Sequence, residues 1–237
     1  MIGEITAENI YKNGLKLGFD YQATSNSVQL INDVTGRNDE VLPPAIESTL
    51  AQGESSYKTY YWVHRAGDSD YWYNAGQILS TMPSAIQAAG YKSVISFREN
   101  GEETTRLSSE VNSVGAIDNM EFSDANGLYS IALEEAAFKE VGVEFFSIPL
   151  SKSSPETWTP SFFSKYKSTL ENAVSKGPVL AHSGSGYRSA AYSIAYIALQ
   201  SSRCSDWALQ KSSEIGFFYR YDMDVQVVKF FKQVLGC

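Results

Sequence analysis

The stretch Pro178-Val179-Leu180-Ala181-His182-Ser183-Gly184-Ser185-Gly186-Tyr187-Arg188-Ser189-Ala190 decides how this chain is read. Pro178 to Ala181 has the composition of a buried strand, Tyr187–Gln200 reads as a helix, and only a few small residues separate the two. A tight loop of this kind points several backbone N–H groups into one hollow, at the positive end of the helix dipole. That is an anion site of the phosphate type. Gly184 and Gly186 let the backbone approach closely, Arg188 supplies a planar two-pronged donor, and Ser185 and Ser189 add hydroxyls. An isolated Gly-x-Gly reads equally well as a plain strand-to-helix turn with a surface arginine. The ordered set of strand, His182, small loop, Arg188 and hydroxyl argues for the anion.

Working outward, strand and helix signals alternate from about residue 70. A short element at Tyr71–Ile78 leads to a helix at Pro83–Ala89 stopped by Gly90, and Lys92–Phe97 is a β-branched, apolar strand. Leu128–Val141 reads as a helix closed by Gly142, and Val143–Pro149 as another strand. Thr159-Pro160 starts a helix whose Phe162, Phe163, Tyr166, Leu170, Ala173 and Val174 share one face, with Gly177 as its end. Asp206–Ile215 and Val225–Leu235 are further helices. This order predicts an α/β fold with a mainly parallel central sheet flanked by helices. Residues 1–69 are polar and irregular, with an aromatic burst at Tyr57, Tyr60, Tyr61 and Trp62, and are expected to form an N-terminal extension packing on the core. The domain proper is expected over 70–237, with an insertion near 104–127.

With 237 residues, 43% apolar and 19% charged, the chain can bury a full core. Its 19 Lys+Arg against 27 Asp+Glu give a formal charge of −8, which argues against wrapping a nucleic-acid backbone or coating an anionic membrane. An anionic ligand therefore needs a local pocket. Cys204 and Cys237 are too few for a disulfide framework, and with only His64 and His182 beside them a structural zinc is not expected. No run approaches the length of a membrane helix, and the start MIGEITAENIYKNG carries neither a basic nor an apolar leader region. The chain reads as soluble, either cytoplasmic or a trimmed secreted form.

The loop resembles the signature of the cysteine-dependent phosphatases of the tyrosine/dual-specificity superfamily, in which a strand delivers His-Cys and a glycine-containing loop ends in Arg followed by Ser or Thr. The shorter spacing, with four residues between position 183 and Arg188, is similar to that of the beta-lactamase-hydrolase-like phosphatase domains. Gln77 through Met82-Pro83, Ala88-Ala89-Gly90-Tyr91, Val94 to Arg98 with Glu102 or Glu103 after it, Val143-Glu144-Phe145 into Ile148-Pro149, and Asp206-Trp207-Ala208-Leu209 to Glu214-Ile215-Gly216-Phe217 recur in that family's order. The resemblance covers about residues 70–235.

What it implies is a phosphomonoesterase working through a phosphocysteine, without a cofactor, on phosphate or a phosphorylated small molecule or protein. Ser183 would hold the nucleophile's place. The backbone of Gly184, Ser185, Gly186 and Tyr187, with Arg188, would bind the phosphate oxygens, Ser189 would stabilise the leaving thiolate, and His182 would support the loop. Arg98 would line the same pocket or, equally, make a structural salt bridge with Glu102 or Glu103. The family's general acid is an Asp on the loop after the Ile-Pro strand; here Leu150–Trp158 has none, and Glu156 is the nearest carboxylate, unless it is merely a solvated residue before a helix. Ser183 is the departure, because a serine hydroxyl is far harder to ionise than a thiol. The chain as written should bind a phosphate-like anion and turn it over poorly or not at all. An engineered Cys→Ser exchange explains this, and the retained loop favours it. A natural pseudophosphatase that holds a phosphorylated partner is the alternative, and a sulfurtransferase-like thiol enzyme is a third reading.

Overall fold

The computed structural model describes residues 63–66, 72–76, 78, 80, 82–88, 90–104, 122–151, 153–184, 186–214, 219 and 225–237. The aromatic burst at Tyr57–Trp62, the rest of the expected extension before residue 63, most of the expected insertion, and Ser185 of the loop lie outside the described residues.

Five short strands form one sheet: β1 (Val63–Arg65), β2 (Trp72–Ala75), β3 (Ser93–Ser96), β4 (Glu144–Ser147) and β5 (Val179–His182), in the order β1-β2-β5-β3-β4. β1 lies antiparallel on the edge; β2, β5, β3 and β4 are parallel to their neighbours. The expected mainly parallel sheet flanked by helices is therefore what the chain forms. The sheet also takes in residues 63–65, on the N-terminal side of the change of texture at residue 70. β5 is central, and its last residue, His182, is in register with Ala75 on one side and Ser96 on the other.

Side chains alternate across the sheet, as the pleat requires. Trp72, Ile95, Phe97, Val179 and Ala181 join one core cluster, packed by α3 (Pro160–Ser175), α4 (Tyr187–Gln200), α5 (Ser205–Glu214) and α6 (Val225–Leu235). Tyr73, Ala75, Val94 and Leu180 join the other, under α1 (Pro83–Ala88) and α2 (Ile131–Glu140). Every residue of β2, β3 and β5 is buried, the polar Asn74, Ser93, Ser96 and His182 included, as both faces of a covered parallel sheet require.

The helix starts follow their caps. Thr159 accepts the Phe162 N–H with Pro160 at the first position, as the sequence predicts. α2 begins at Ile131 rather than Leu128, because Leu128 and Tyr129 bridge to Glu103 and Ser123 and Ser130 takes the cap, accepting the Leu133 N–H. The two cysteines form one staple: Cys204, in the turn between α4 and α5, is disulfide-bonded to Cys237, 33 residues on. Closing a loop of that length is worth about 4 kcal/mol in the chain-entropy account. Among the described residues, no helix is long and apolar enough to cross a membrane.

Candidate functional site

The carboxyl ends of the three parallel strands β3, β4 and β5 deliver their following segments to one place, where ligands collect in open parallel sheets. After β5 come Ser183 and Gly184, then Gly186 as the N-cap of α4, with φ of 79°. Only glycine adopts that backbone without strain. Its cap has no side-chain acceptor, so the first N–H groups of α4 face the loop without competition from a capping side chain. Asn74 on β2 fixes this corner from beneath, its Nδ2 donating to the Gly186 carbonyl at 3.2 Å.

Arg188, in the first turn of α4 after β5, is held by the segments that follow β3 and β4. Its Nη1 donates to Glu102 Oε1 at 2.5 Å and to the Leu150 carbonyl at 2.5 Å, and its Nη2 donates to Glu102 Oε2 at 2.8 Å. The result is a fork-on-fork pair that leaves the guanidinium little freedom. Nη2 also lies 4.0 Å from where a Cβ on Gly184 would stand, so the arginine spans the loop. Glu102 is itself supported: the Glu99 N–H donates to Oε1 at 2.7 Å and Arg98 Nε to Oε2 at 3.1 Å. Burial alone pushes the Glu102 carboxyl up, but Arg188, the Glu99 N–H and Arg98 outweigh it and lower it to about 2. The ionised Glu102 carboxylate fixes the guanidinium in place and offsets its charge, so the pair presents positioned N–H donors rather than a free positive charge.

Ser183 is buried at the loop's base, and Ser189 Oγ lies 3.3 Å from its Oγ and 3.0 Å from the Gly186 carbonyl, with one hydroxyl hydrogen that turns to either. A hydroxyl aimed at position 183 stabilises charge on whatever atom stands there. Tyr187 turns into the aromatic layer, edge-on to Trp158 and Tyr219, and its carbonyl accepts the Tyr219 hydroxyl at 2.6 Å.

His182, Ser183, Gly184, Gly186, Arg188 and Ser189 therefore come together. Arg98 belongs to the same place by way of Glu102 and the Glu103 carbonyl, to which its Nη2 donates at 3.1 Å. Of the two glutamates after it, Glu102 supplies the carboxylate and Glu103 only its backbone. Glu156 is exposed on the 3-10 turn Pro155–Trp158, and its described hydrogen bond is through its carbonyl to Thr159. That turn is fastened to α4, since Tyr192 donates its hydroxyl to the Thr157 carbonyl.

Sequence reasoning missed the residues beneath the loop. Asn74 is one, and Tyr129 and Glu134 are others: Ser96 and Tyr129 hydroxyls meet at 2.6 Å, Tyr129 donates to Glu134 Oε2, and Glu134 Oε1 lies 2.8 Å from His182 Nε2. The available signal was phase: Glu134 and Phe138, four apart on α2, are both buried, so a carboxyl occupies the helix's apolar stripe.

No protein-family model matches the chain, and no curated protein does. Among solved structures it is similar to TpbA from P. aeruginosa, at 16% identity over 81% of this chain and 92% of that one, with a TM-score of 0.47. It is also similar to PTPMT1, at 17% identity over 74% and 97% with a TM-score of 0.47, and to a mutant form of Tk-PTP, at 14% over 73% and 96% with a TM-score of 0.49. TpbA has been solved in complex with pTyr and PTPMT1 with PI(5)P. At such identities the chemistry has to be read from this chain's own residues.

Proposed function

We propose that the chain binds the dianion of a phosphomonoester in the loop from Ser183 to Arg188, and that the form with cysteine at position 183 is a phosphatase of the tyrosine/dual-specificity type. The observation that carries this reading is Arg188, clamped by both oxygens of Glu102 and by the Leu150 carbonyl across a glycine loop at the start of a helix. Substrates are phosphorylated small molecules or proteins, since all present the same dianion.

In the cysteine form the thiolate at position 183 attacks phosphorus as the ester P–O bond breaks, and the departing oxygen takes a proton from an acid. Water then attacks the phosphocysteine, the S–P bond breaks, and the thiolate leaves beside the Ser189 hydroxyl with inorganic phosphate as product. Arg188 and the loop N–H groups follow the charge on the equatorial oxygens. Glu156 is the one carboxylate of the loop from Leu150 to Trp158, and its exposure makes it a weakly placed acid. Aryl phosphates, whose leaving groups need least protonation, are the substrates of choice for a first assay. With Ser183 in place the first step stalls for want of an ionised nucleophile, while binding persists.

Ser183 itself favours a second reading, a module that holds a phosphorylated partner without hydrolysing it. The Ser183→Cys variant decides between them on a chromogenic aryl phosphate. Vanadate-sensitive turnover that disappears on adding Arg188→Ala supports the enzyme. A Ser183→Cys protein that binds phosphate without turning it over leaves the binding module, and a chain that binds no oxyanion ends both.

A further inference from the structure

Beneath the loop, on the side of the sheet covered by α2, lies a cluster that anion binding as described does not use. Ser96 and His182 end adjacent strands on that face, and they are met by Tyr129, just before α2, and Glu134, in its first turn. All four are buried, with Glu134, His182 and Ser96 fully so. The Tyr129 hydroxyl is held between Ser96 Oγ and Glu134 Oε2. Burial, then the nearby Glu134, pushes that hydroxyl up, so it stays a proton donor. Glu134 Oε1 and His182 Nε2 are 2.8 Å apart, neither with another hydrogen-bond partner among the described residues, and the ring N–H is not aligned on the oxygen. Each is the partner the other lacks, and a rotation of the imidazole in place completes the pair.

A carboxyl is a costly group to bury as completely as Glu134 is buried. Two features make it tolerable there: the first turn of α2, whose dipole favours an acidic group, and the hydroxyl of Tyr129. The cluster also touches the anion site twice. His182 is joined by one peptide bond to Ser183, and the Arg98 guanidinium lies 4.1 Å from the centroid of the Tyr129 ring while its Nε holds Glu102. Loop backbone and arginine clamp thus share a single buried support.

We propose that Glu134, acting through Tyr129 and His182, is a positioning residue for the anion loop: it orients the imidazole that precedes Ser183 and so fixes where the atom at position 183 stands against the bound oxyanion. This rests on the anion-site reading above. It assigns to the flank of the long segment after β3 a role in the site, beyond covering the sheet.

The test uses the full chain with Ser183 in place and tungstate as the oxyanion, with affinity read by calorimetry. Glu134→Gln and Tyr129→Phe are each expected to weaken tungstate binding about tenfold. The chain has two histidines, so a His64→Gln background leaves the imidazole of His182 alone in a nitrogen-15 spectrum. Its signals should move when tungstate is added and should shift again in Glu134→Gln. A double-mutant cycle of Glu134→Gln with His182→Asn should be non-additive in affinity, because the carboxyl acts through the ring. A merely structural Glu134 would give additive losses and an imidazole indifferent to tungstate. If the parent chain binds no tungstate, the anion reading fails and this one with it. If the parent binds and both variants bind equally well, the anion reading stands and the positioning role is overturned. Should Glu134→Gln not fold, Tyr129→Phe, which removes one oxygen, carries the same comparison.

Discussion

The two faces of the sheet are built from different materials. The larger face packs Trp72, Ile95, Phe97 and Val179 against Phe163, Tyr192, Phe230 and Phe231, and its polar strand residues are tied to backbone: Ser93 to the Ala173 carbonyl and Asn74 to the Gly186 carbonyl. The smaller face packs Tyr73, Val94 and Leu180 against Tyr91 and Phe138, and its polar strand residues, Ser96 and His182, meet the side chains of Tyr129 and Glu134. Apolar burial is non-directional and scales with area, so the larger face supplies stability without caring about angles. Hydrogen-bonded groups in a low-dielectric interior do care: on the larger face Asn74 reaches the loop backbone at Gly186, and on the smaller face the positioning role proposed for Glu134 works through His182. The contrast assigns opposite outcomes to mutations of similar cost.

The largest effect belongs to the clamp above both faces. Arg188→Ala removes the guanidinium from the anion and a partner from a nearly buried carboxylate, whose side chain is 12% exposed. Tungstate affinity should fall on the order of a hundredfold or more, since charge-assisted bonds are lost. Stability should fall by about 3 kcal/mol, at the low end for a broken buried pair, because Arg98 and the Glu99 N–H still hold Glu102. Calorimetry and a urea midpoint check the two separately. Binding lost at unchanged stability would mean that Glu102 does not depend on Arg188.

Leu170→Ala asks the complementary question on the larger face. Leu170 is fully buried on α3, and its truncation should cost roughly 2–4 kcal/mol in unfolding free energy. Tungstate affinity should not change. A parallel loss of affinity would break the division between the faces.

Acid titration separates the clamp from its surroundings. The Glu102 carboxyl lies at about 2 in the folded chain against an ordinary 4.5, so its contribution is fully present above 4.5 and is lost as pH falls through about 2. That contribution is worth roughly 3 kcal/mol. The stability gap between the parent and Glu102→Gln should therefore be constant near neutrality and close between those two values. A gap that closed well above 4.5 would show that another group controls the clamp.

Much of this was legible in the chain. Thr159-Pro160, Gly177 and the run from Pro178 to Ser189 announce their own geometry, because caps, stops and glycine loops are local physics. The parallel pairing of the strands followed from the alternation of elements. The start of α2 was misplaced because Leu128 and Tyr129 are claimed by long-range bridges to Glu103 and Ser123, which no local pattern shows. The Cys204–Cys237 link was not anticipated, since two cysteines 33 apart say nothing of whether their ends meet. Asn74 and Tyr129 were invisible for the same reason, each acting on a residue far along the chain, Asn74 on one 112 positions away, while Glu134 showed only as a carboxyl in the apolar stripe of α2.

The smallest effect is the sharpest comparison. Ser93 and Ser96 lie on the same strand, both fully buried, but three positions apart, so they face opposite sides of the sheet. Ser93 Oγ donates to the Ala173 carbonyl at 2.9 Å; Ser96 Oγ meets the Tyr129 hydroxyl at 2.6 Å. Replacing either by alanine removes one oxygen and its short hydrogen bond, and Ser96→Ala also removes the longer acceptor, at 3.4 Å, of the Arg98 N–H; Ala173 still accepts the Lys176 N–H, and Tyr129 still donates to Glu134. Each should therefore cost about 1 kcal/mol in a urea titration. Their effects on the loop should differ. Ser96→Ala loosens the hydroxyl that steadies Glu134 and should weaken tungstate binding roughly threefold, a fraction of that stability term. Ser93→Ala touches only the seam with α3 and should leave affinity where it was. Equal affinities in the two variants would show that the smaller face, polar as it is, holds the sheet together without steering the loop.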